Sequence, residues 1–240
     1  MKSNWLNENK KQIDYYLSST DFILMDRKKS LSLLLDIYEA YFNNLENNSF
    51  LDFGSGGGAL TKIFFDKYPK NNFTLLDGSK NMIEKSKSIF GSERFSYINI
   101  SFEDFMDKNK DEEKFDLIYS SMAIHHLPHE EKRRLFSKFY TLLKFNGLFI
   151  NIDVVLPTSK KTEEIQFEMW KRSIINELVK DNRQAEIDNH INLPEEYKGK
   201  SENKPSTLIS QLEMLSNIGF RDVECYLKNG IFAFYGGQKT

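Results

Sequence analysis

From residue 49 to residue 155, short apolar runs alternate with stretches whose apolar positions recur every three or four residues. Runs of about five apolar residues bounded by turn residues read as strands buried on both faces, and the stretches between them as amphipathic helices. That alternation belongs to βα units feeding a parallel sheet. The pattern predicts strands at 49–53, 73–76, 95–100, 115–119 and 148–155. Helices are predicted at 60–68, closed by Pro69, at 79–90, capped by Ser79, from about Glu103, and at 128–143 before a turn at Asn146-Gly147.

Beyond Pro157 the rhythm changes. Residues 159–189 are charged and helical in pattern, with Ile165, Phe167, Trp170, Ile174 and Leu178 spaced for one apolar face. Such a stripe reads as core before it reads as substrate contact, Trp170 included. Residues 192–204 carry Pro194 and Gly199, Pro205 follows, and the segment reads as a loop. A helix at 207–217 stops at Gly219, and strands at 223–227 and 231–235 flank Asn229-Gly230, a two-residue hairpin signal. Upstream, residues 30–42 are strongly helical. The expectation is one α/β domain over 1–240: a seven-stranded, mostly parallel sheet with an antiparallel C-terminal hairpin. Residues 1–48 are expected to form a helical cap, and 157–205 a helical lid inserted between the fifth strand and the last helix.

The 240 residues suffice for one substantial core, and 40% hydrophobic with 28% charged residues is ordinary for a soluble globular chain. A net charge of −2 gives no electrostatic reason to expect nucleic acid or an anionic membrane as partner. The basic run Lys132-Arg133-Arg134 falls in a helical pattern and reads as a solvated face. Cys225 stands alone, so no internal disulfide forms, and it reads as a small core residue rather than a nucleophile. Residues 1–11 lack the apolar core of a signal peptide, and no stretch reaches the roughly 18 apolar residues of a membrane span. A cytoplasmic location is the expectation.

The chemistry concentrates at Leu51-Asp52-Phe53-Gly54-Ser55-Gly56-Gly57-Gly58-Ala59. A glycine-rich turn directly after a strand lets the backbone approach a ligand where a Cβ would collide, and the next helix presents unpaired N–H groups there. At the end of the next strand, Leu75-Leu76-Asp77-Gly78-Ser79 places a carboxylate beside that loop, able to accept hydrogen bonds from both hydroxyls of a ribose. Position alone is compatible with a dinucleotide or an adenosyl ligand.

The series from Leu51 to Gly58 resembles the first motif of class I S-adenosylmethionine-dependent methyltransferases, which have a Rossmann-like fold. Asp77 with Ser79 and Met82 is similar to that family's second motif, and Phe115-Asp116-Leu117-Ile118-Tyr119-Ser120-Ser121 resembles its fourth-strand motif. Ile124-His125-His126-Leu127 follows as in many small-molecule members. Residues 143–150 resemble a segment usually written with a Pro-Gly-Gly turn, with Asn146 replacing one glycine, and 215–223 resemble the family's last helix and sixth strand. The resemblance implies that Asp52 and the loop Gly54, Ser55, Gly56 to Gly58 hold the methionine part of the cofactor. It implies Asp77, in its turn with Gly78 and Ser79, for the ribose, Met82 and Phe102 as a sandwich around the adenine, and the Ser120 carbonyl at the methionine end. Ser101 stands where many members carry an acidic residue for the adenine amino group.

Methyl transfer from a sulfonium by in-line displacement needs alignment first, worth roughly 7–11 kcal/mol. A general base adds about 10²–10⁴-fold. His125 or His126, at the mouth of the fourth strand, is the candidate base, with Asp153 to orient it; the alternative is that both rings only shape the pocket. His129 nearby makes no metal site, because no carboxylate or cysteine sits at ligand spacing. Tyr15, Tyr16, Arg27 and Trp170 are possible contacts to a small-molecule acceptor beneath the lid. The other readings are a tRNA-modifying methyltransferase of the same fold, an NAD-dependent oxidoreductase, which Gly54, Gly56, Ala59 and Asp77 also fit, and a non-catalytic cofactor binder.

Overall fold

A computed structural model describes residues 24–25, 27–108 and 114–240, without the side chains of Arg27 and Lys28. Its strands are β1 Ser49–Phe53, β2 Asn72–Asp77, β3 Phe95–Asn99, β4 Phe115–Ser121, β5 Leu143–Val154, β6 Arg221–Asn229 and β7 Phe232–Gln238. They form one sheet in the order β3-β2-β1-β4-β5-β7-β6. The first five run parallel, and β7 is antiparallel to both β5 and β6. Strand order reverses between β1 and β4, so the crevice outside their carboxyl ends is where an open α/β sheet takes its ligand.

The helices described are α1 Arg27–Tyr41, α2 Ala59–Lys67, α3 Lys80–Phe90, α4 Phe102–Asp107, α5 His129–Leu142, α6 Lys160–Lys180, α7 Ile187–His190, α8 Leu193–Gly199 and α9 Leu208–Ile218. Alternate residues of a strand face opposite sides of the sheet. Accordingly Phe50, Leu75, Leu117 and Ile150 pack with α1, α2 and α6, while Leu51, Phe53, Ile118 and Phe149 pack with α4, α5 and α9. Cover on both faces explains why the central strands are apolar throughout instead of alternating.

Four local expectations are corrected. The fifth strand begins at Leu143, and Asn146-Gly147 is not a turn before it but an irregularity within it, opposite a register shift between Phe115 and Leu117. Asn146 takes φ +64°, and its N–H reaches the Lys239 carbonyl at 2.7 Å. The hairpin slides by one residue: Asn229 pairs with Phe232, and Gly230 at φ +56° opens the turn. Residues 193–199 are a helix rather than loop, because Pro194 sits in its first turn, where the missing N–H has no partner to lose. In α6 the buried stripe is Phe167, Trp170, Ile174 and Leu178, with Ile165 left exposed.

Residues 157–205 leave and rejoin the sheet at one point. The Leu156 N–H donates to the Ser206 carbonyl at 2.9 Å, and Leu156 bridges Thr207 in parallel. Edge-to-face packing of Trp170 on Phe232, with ring centres 5.3 Å apart, anchors this segment to the hairpin. Among the described residues no helix is long and apolar enough to cross a membrane.

Candidate functional site

At the carboxyl end of β1 the chain turns back on its neighbour: the Gly54 and Ser55 N–H groups both donate to the Leu76 carbonyl, at 2.9 and 3.0 Å. Gly54, Gly56 and Gly58 all lie in the left-handed region, with φ of +69°, +51° and +79°. A Cβ at Gly54 would stand 2.4 Å from the Ala123 Cβ and 3.3 Å from the Phe102 ring, so the loop, α4 and the segment after β4 converge there. A Cβ at Gly56 would meet nothing within 4 Å, which leaves that stretch of backbone open to a ligand. The Ser55 hydroxyl is buried with no hydrogen-bond partner among the described residues.

Asp77 ends β2 and accepts from the Gly56 N–H and the Ser79 N–H, both at 2.8 Å. Burial pushes its carboxyl above the usual range, against the two N–H groups that favour the charged form. A carboxylate offers about four acceptor positions, so two remain for a ligand. The Asn99 side chain pins the turn by donating to the Asp77 and Gly78 carbonyls at 3.0 Å each. The Ser79 hydroxyl caps α3 at the Met82 N–H, and Met82 itself is buried. The Ser101 hydroxyl accepts from the Asp104 N–H at 3.0 Å as the cap of α4, while Phe102 lies against Phe53 with ring centres 4.4 Å apart. The Ser120 hydroxyl donates to the Phe53 carbonyl at 2.7 Å.

Asp52 is buried and accepts from the Thr61 hydroxyl of α2 at 2.7 Å, with Tyr119 beyond it at 2.9 Å. Burial, more than any neighbour, pushes its carboxyl up to about 7. Its partners are thus in the core rather than in the crevice. The partnerless Ser55 hydroxyl, the open backbone at Gly56 and the spare acceptor positions of Asp77 together fit an adenosyl ligand with a charged amino-acid end.

The candidate catalytic residues meet where β4 and β5 finish. The His125 Nδ1 lies 2.6 Å from one Asp153 oxygen, and the His125 backbone N–H donates to the other at 2.8 Å. Both side chains are almost fully buried. Burial works to raise the Asp153 carboxyl, but the His125 ring and the N–H groups of Val154 and His125 outweigh it and hold it below the usual range. With Nδ1 committed to the carboxylate, Nε2 is the ring nitrogen left to act.

His126 lies ring to ring with His125 at 4.0 Å, its Nδ1 3.4 Å from the Glu202 carbonyl. Burial, then the His125 charge, drives it down to about 3 from an ordinary value of 6.5. An unfolded imidazole binds a proton below pH 6.5 that the folded one refuses until about pH 3, so this residue withdraws stability as the solution is acidified. The melting temperature of the wild type, minus that of His126→Gln, should therefore fall as pH is lowered from about 7 to about 4. A flat difference would show that His126 titrates as an exposed residue does.

The basic run is corrected: Arg133 and Arg134 are exposed and paired with Glu130, Glu131 and Asp107, but Lys132 is buried. Its ammonium donates to the Leu127 carbonyl at 2.6 Å and also to the Lys204 carbonyl. Burial lowers it to about 8. The Lys204 N–H donates to the His125 carbonyl at 2.8 Å, and His129 Nδ1 lies 3.2 Å from the Ser206 hydroxyl. Residues 202–206 are thereby strapped across the two histidines. Among the described residues no group of three or more His, Cys, Asp or Glu is placed to hold a metal.

Trp170 is in the core, 2% exposed. Tyr15, Tyr16 and the side chain of Arg27 lie outside the described residues. Tyr197 of α8, which the sequence pattern did not single out, stands with its ring centre 5.7 Å from that of His125.

Residues 50–147 match the family model described as a methyltransferase domain. The chain is 22% identical over 215 residues to carboxy-S-adenosyl-L-methionine synthase of Nautilia profundicola, covering 87% of this chain and 83% of that one. It is 35% identical over 128 residues to phosphoethanolamine N-methyltransferase of Plasmodium falciparum, covering 52% of this chain and 46% of that one. Across its curated relatives the chain spans between 42% and 83% of their length. Among solved structures, human N-acetylserotonin methyltransferase in complex with S-adenosylmethionine shares the fold, with a TM-score of 0.53 and 18% identity over 88% of this chain and 56% of that one. The matched segment carries the glycine loop, Asp77 and the histidine pair, and the sheet around it has the family's strand order and antiparallel hairpin. Over residues 50–147 the chain is thus similar to methyltransferase domains, and its sheet has the fold of S-adenosylmethionine-dependent methyltransferases.

Proposed function

We propose that this chain transfers a methyl group from S-adenosylmethionine to a small polar acceptor, with His125 as general base and Asp153 orienting it. The observation that carries the base assignment is the pair of hydrogen bonds that Asp153 accepts from the ring and the backbone of His125, at 2.6 and 2.8 Å. It fixes the tautomer with Nε2 as acceptor and stabilises the imidazolium that forms on proton uptake.

Bound at this site, the cofactor supplies an electrophilic methyl group on a sulfonium, open to in-line displacement by the acceptor. The loop Gly54–Gly58 presents backbone N–H groups and the Ser55 hydroxyl to its amino-acid end. Asp77 takes the ribose hydroxyls, Met82 and Phe102 flank the adenine, and the Ser120 carbonyl lines the methionine end. Ser101, with one lone pair spent on its helix cap, keeps its O–H and one acceptor position for the adenine. His126, held neutral, shapes the pocket beside His125 and takes no proton.

Residues 157–205 act as the lid, shutting water from the transfer; alignment in that closed space outweighs the base. The phosphoethanolamine methyltransferase supports an acceptor of metabolite size, and the net charge of −2 favours it over tRNA.

Calorimetric titration tests the cofactor reading. Saturable heat is expected with S-adenosylmethionine or S-adenosylhomocysteine and none with NAD; the reverse result would return the site to the oxidoreductases. Asp77→Ala removes the acceptor for two backbone N–H groups together with the ribose contact. It should weaken cofactor binding by about 10–100-fold, the range of one or two charge-assisted hydrogen bonds. Unchanged affinity would take Asp77 out of the site.

A further inference from the structure

We propose that the Tyr197 hydroxyl is a direct hydrogen-bonding contact to the methyl acceptor, held over the His125–Asp153 pair by the lid; this rests on the methyl-transfer reading above.

Tyr197 is fixed from several sides. Its carbonyl accepts from the Asn203 side chain at 2.7 Å and from the Lys200 N–H at 3.3 Å. Its ring lies edge-on to Trp170 at 5.9 Å and against Phe167 at 6.3 Å, with His125 on a further side at 5.7 Å. The hydroxyl at the end of this wedged ring is withdrawn from solvent and has no hydrogen-bond partner among the described residues. A buried hydroxyl without a partner destabilises the fold, and phenylalanine would fill the same space without that cost. The hydroxyl is explained once a ligand supplies the partner.

The surroundings decide what it offers. Burial, and secondarily the charge of Asp153, holds the phenol protonated, so it serves as a donor. His125 Nε2, with Asp153 on the opposite nitrogen, serves as an acceptor of hydrogen bonds and protons. A donor and an acceptor on neighbouring rings call for one small molecule carrying both complements. It has a hydroxyl or amine that gives its proton to His125 as it is methylated, and a nearby oxygen, carbonyl or carboxylate, that receives the Tyr197 O–H. Aromatic walls from Phe167 and Trp170 beside the phenol restrict that molecule to something compact.

Tyr197→Phe separates this role from a packing role. The probes are S-adenosylmethionine labelled in its methyl group and a fixed panel of small hydroxy acids, amino acids and amino alcohols. Each acid is paired with an analogue lacking the carboxyl oxygens. The variant should melt at the wild-type temperature or above it and bind cofactor within about twofold. It should lose about tenfold in kcat/KM for the best acceptor, the worth of one hydrogen bond to a charged or strongly polar group. Deleting the oxygens from that acceptor should cost the wild type the same factor and the variant almost nothing. A lower melting temperature with unchanged kcat/KM, or an equal loss on every acceptor and its analogue, overturns the proposal. If the wild type takes up no S-adenosylmethionine, it is the methyl-transfer reading that fails.

Discussion

His125→Asn is expected to slow methyl transfer at saturating cofactor by about 10²–10⁴-fold, with cofactor affinity held within about twofold. Its ring hydrogen bond runs to Asp153, not to a group assigned to the cofactor. Alanine at this position would leave the buried Asp153 carboxylate without its ring partner and cost about 3–5 kcal/mol of stability, the usual result of breaking a buried pair. Asparagine keeps a donor toward Asp153 but has no basic nitrogen, so it isolates the chemical role from the structural one. A base contributes roughly 3–5 kcal/mol, whereas alignment supplies roughly 7–11 kcal/mol, so residual turnover should survive. Full turnover in a folded His125→Asn protein would end the base assignment.

Gly54→Val should abolish saturable cofactor binding and destabilise the fold as well. The left-handed backbone at φ +69° costs a residue with a Cβ about 1–2 kcal/mol. Its Cβ would also stand 2.4 Å from the Ala123 Cβ, and overpacking of this kind costs typically 1–3 kcal/mol. Together these make about 2–5 kcal/mol, a fall in Tm of roughly 4–20 °C at a few degrees per kcal/mol for a chain of this size. Because Ala123 precedes His125 by two residues, the displaced segment also carries the base. Gly56→Ala is the contrast: its Cβ meets nothing within 4 Å, so it should lose cofactor at a smaller cost in stability. Equal loss of stability at the two positions would show that the loop is a structural turn and not a cradle.

What the chain disclosed beforehand follows from the range of the interactions involved. The parallel strands, the helix cap at Ser79 and the glycine turn are written in neighbouring residues, and all stand in the structure. Pro194 and Gly199 read as loop because both break helices in general; as the first turn and last residue of α8 they bound one instead. Lys132 read as solvated because its neighbours Arg133 and Arg134 are. Nothing nearby in sequence announces that the carbonyl of Lys204 will cover it. Tyr197 gave no signal for the same reason: its meaning lies in the rings of Phe167, Trp170 and His125, brought together only by the return of the inserted segment. Asp153, by contrast, can be picked out locally as a carboxylate near the end of a largely apolar strand, and it stands bonded to His125.

The strap of residues 202–206 ties two events into one. The Lys204 N–H holds the backbone carbonyl of His125, and the buried Lys132 ammonium clasps the Leu127 and Lys204 carbonyls. Any swing of the inserted segment about its trailing end therefore drags the imidazole's own peptide with it. With the segment as lid and His125 as base, as proposed, admission of the acceptor and aiming of that base become a single mechanical coordinate: the entrance would not stand wide open while His125 Nε2 is in register.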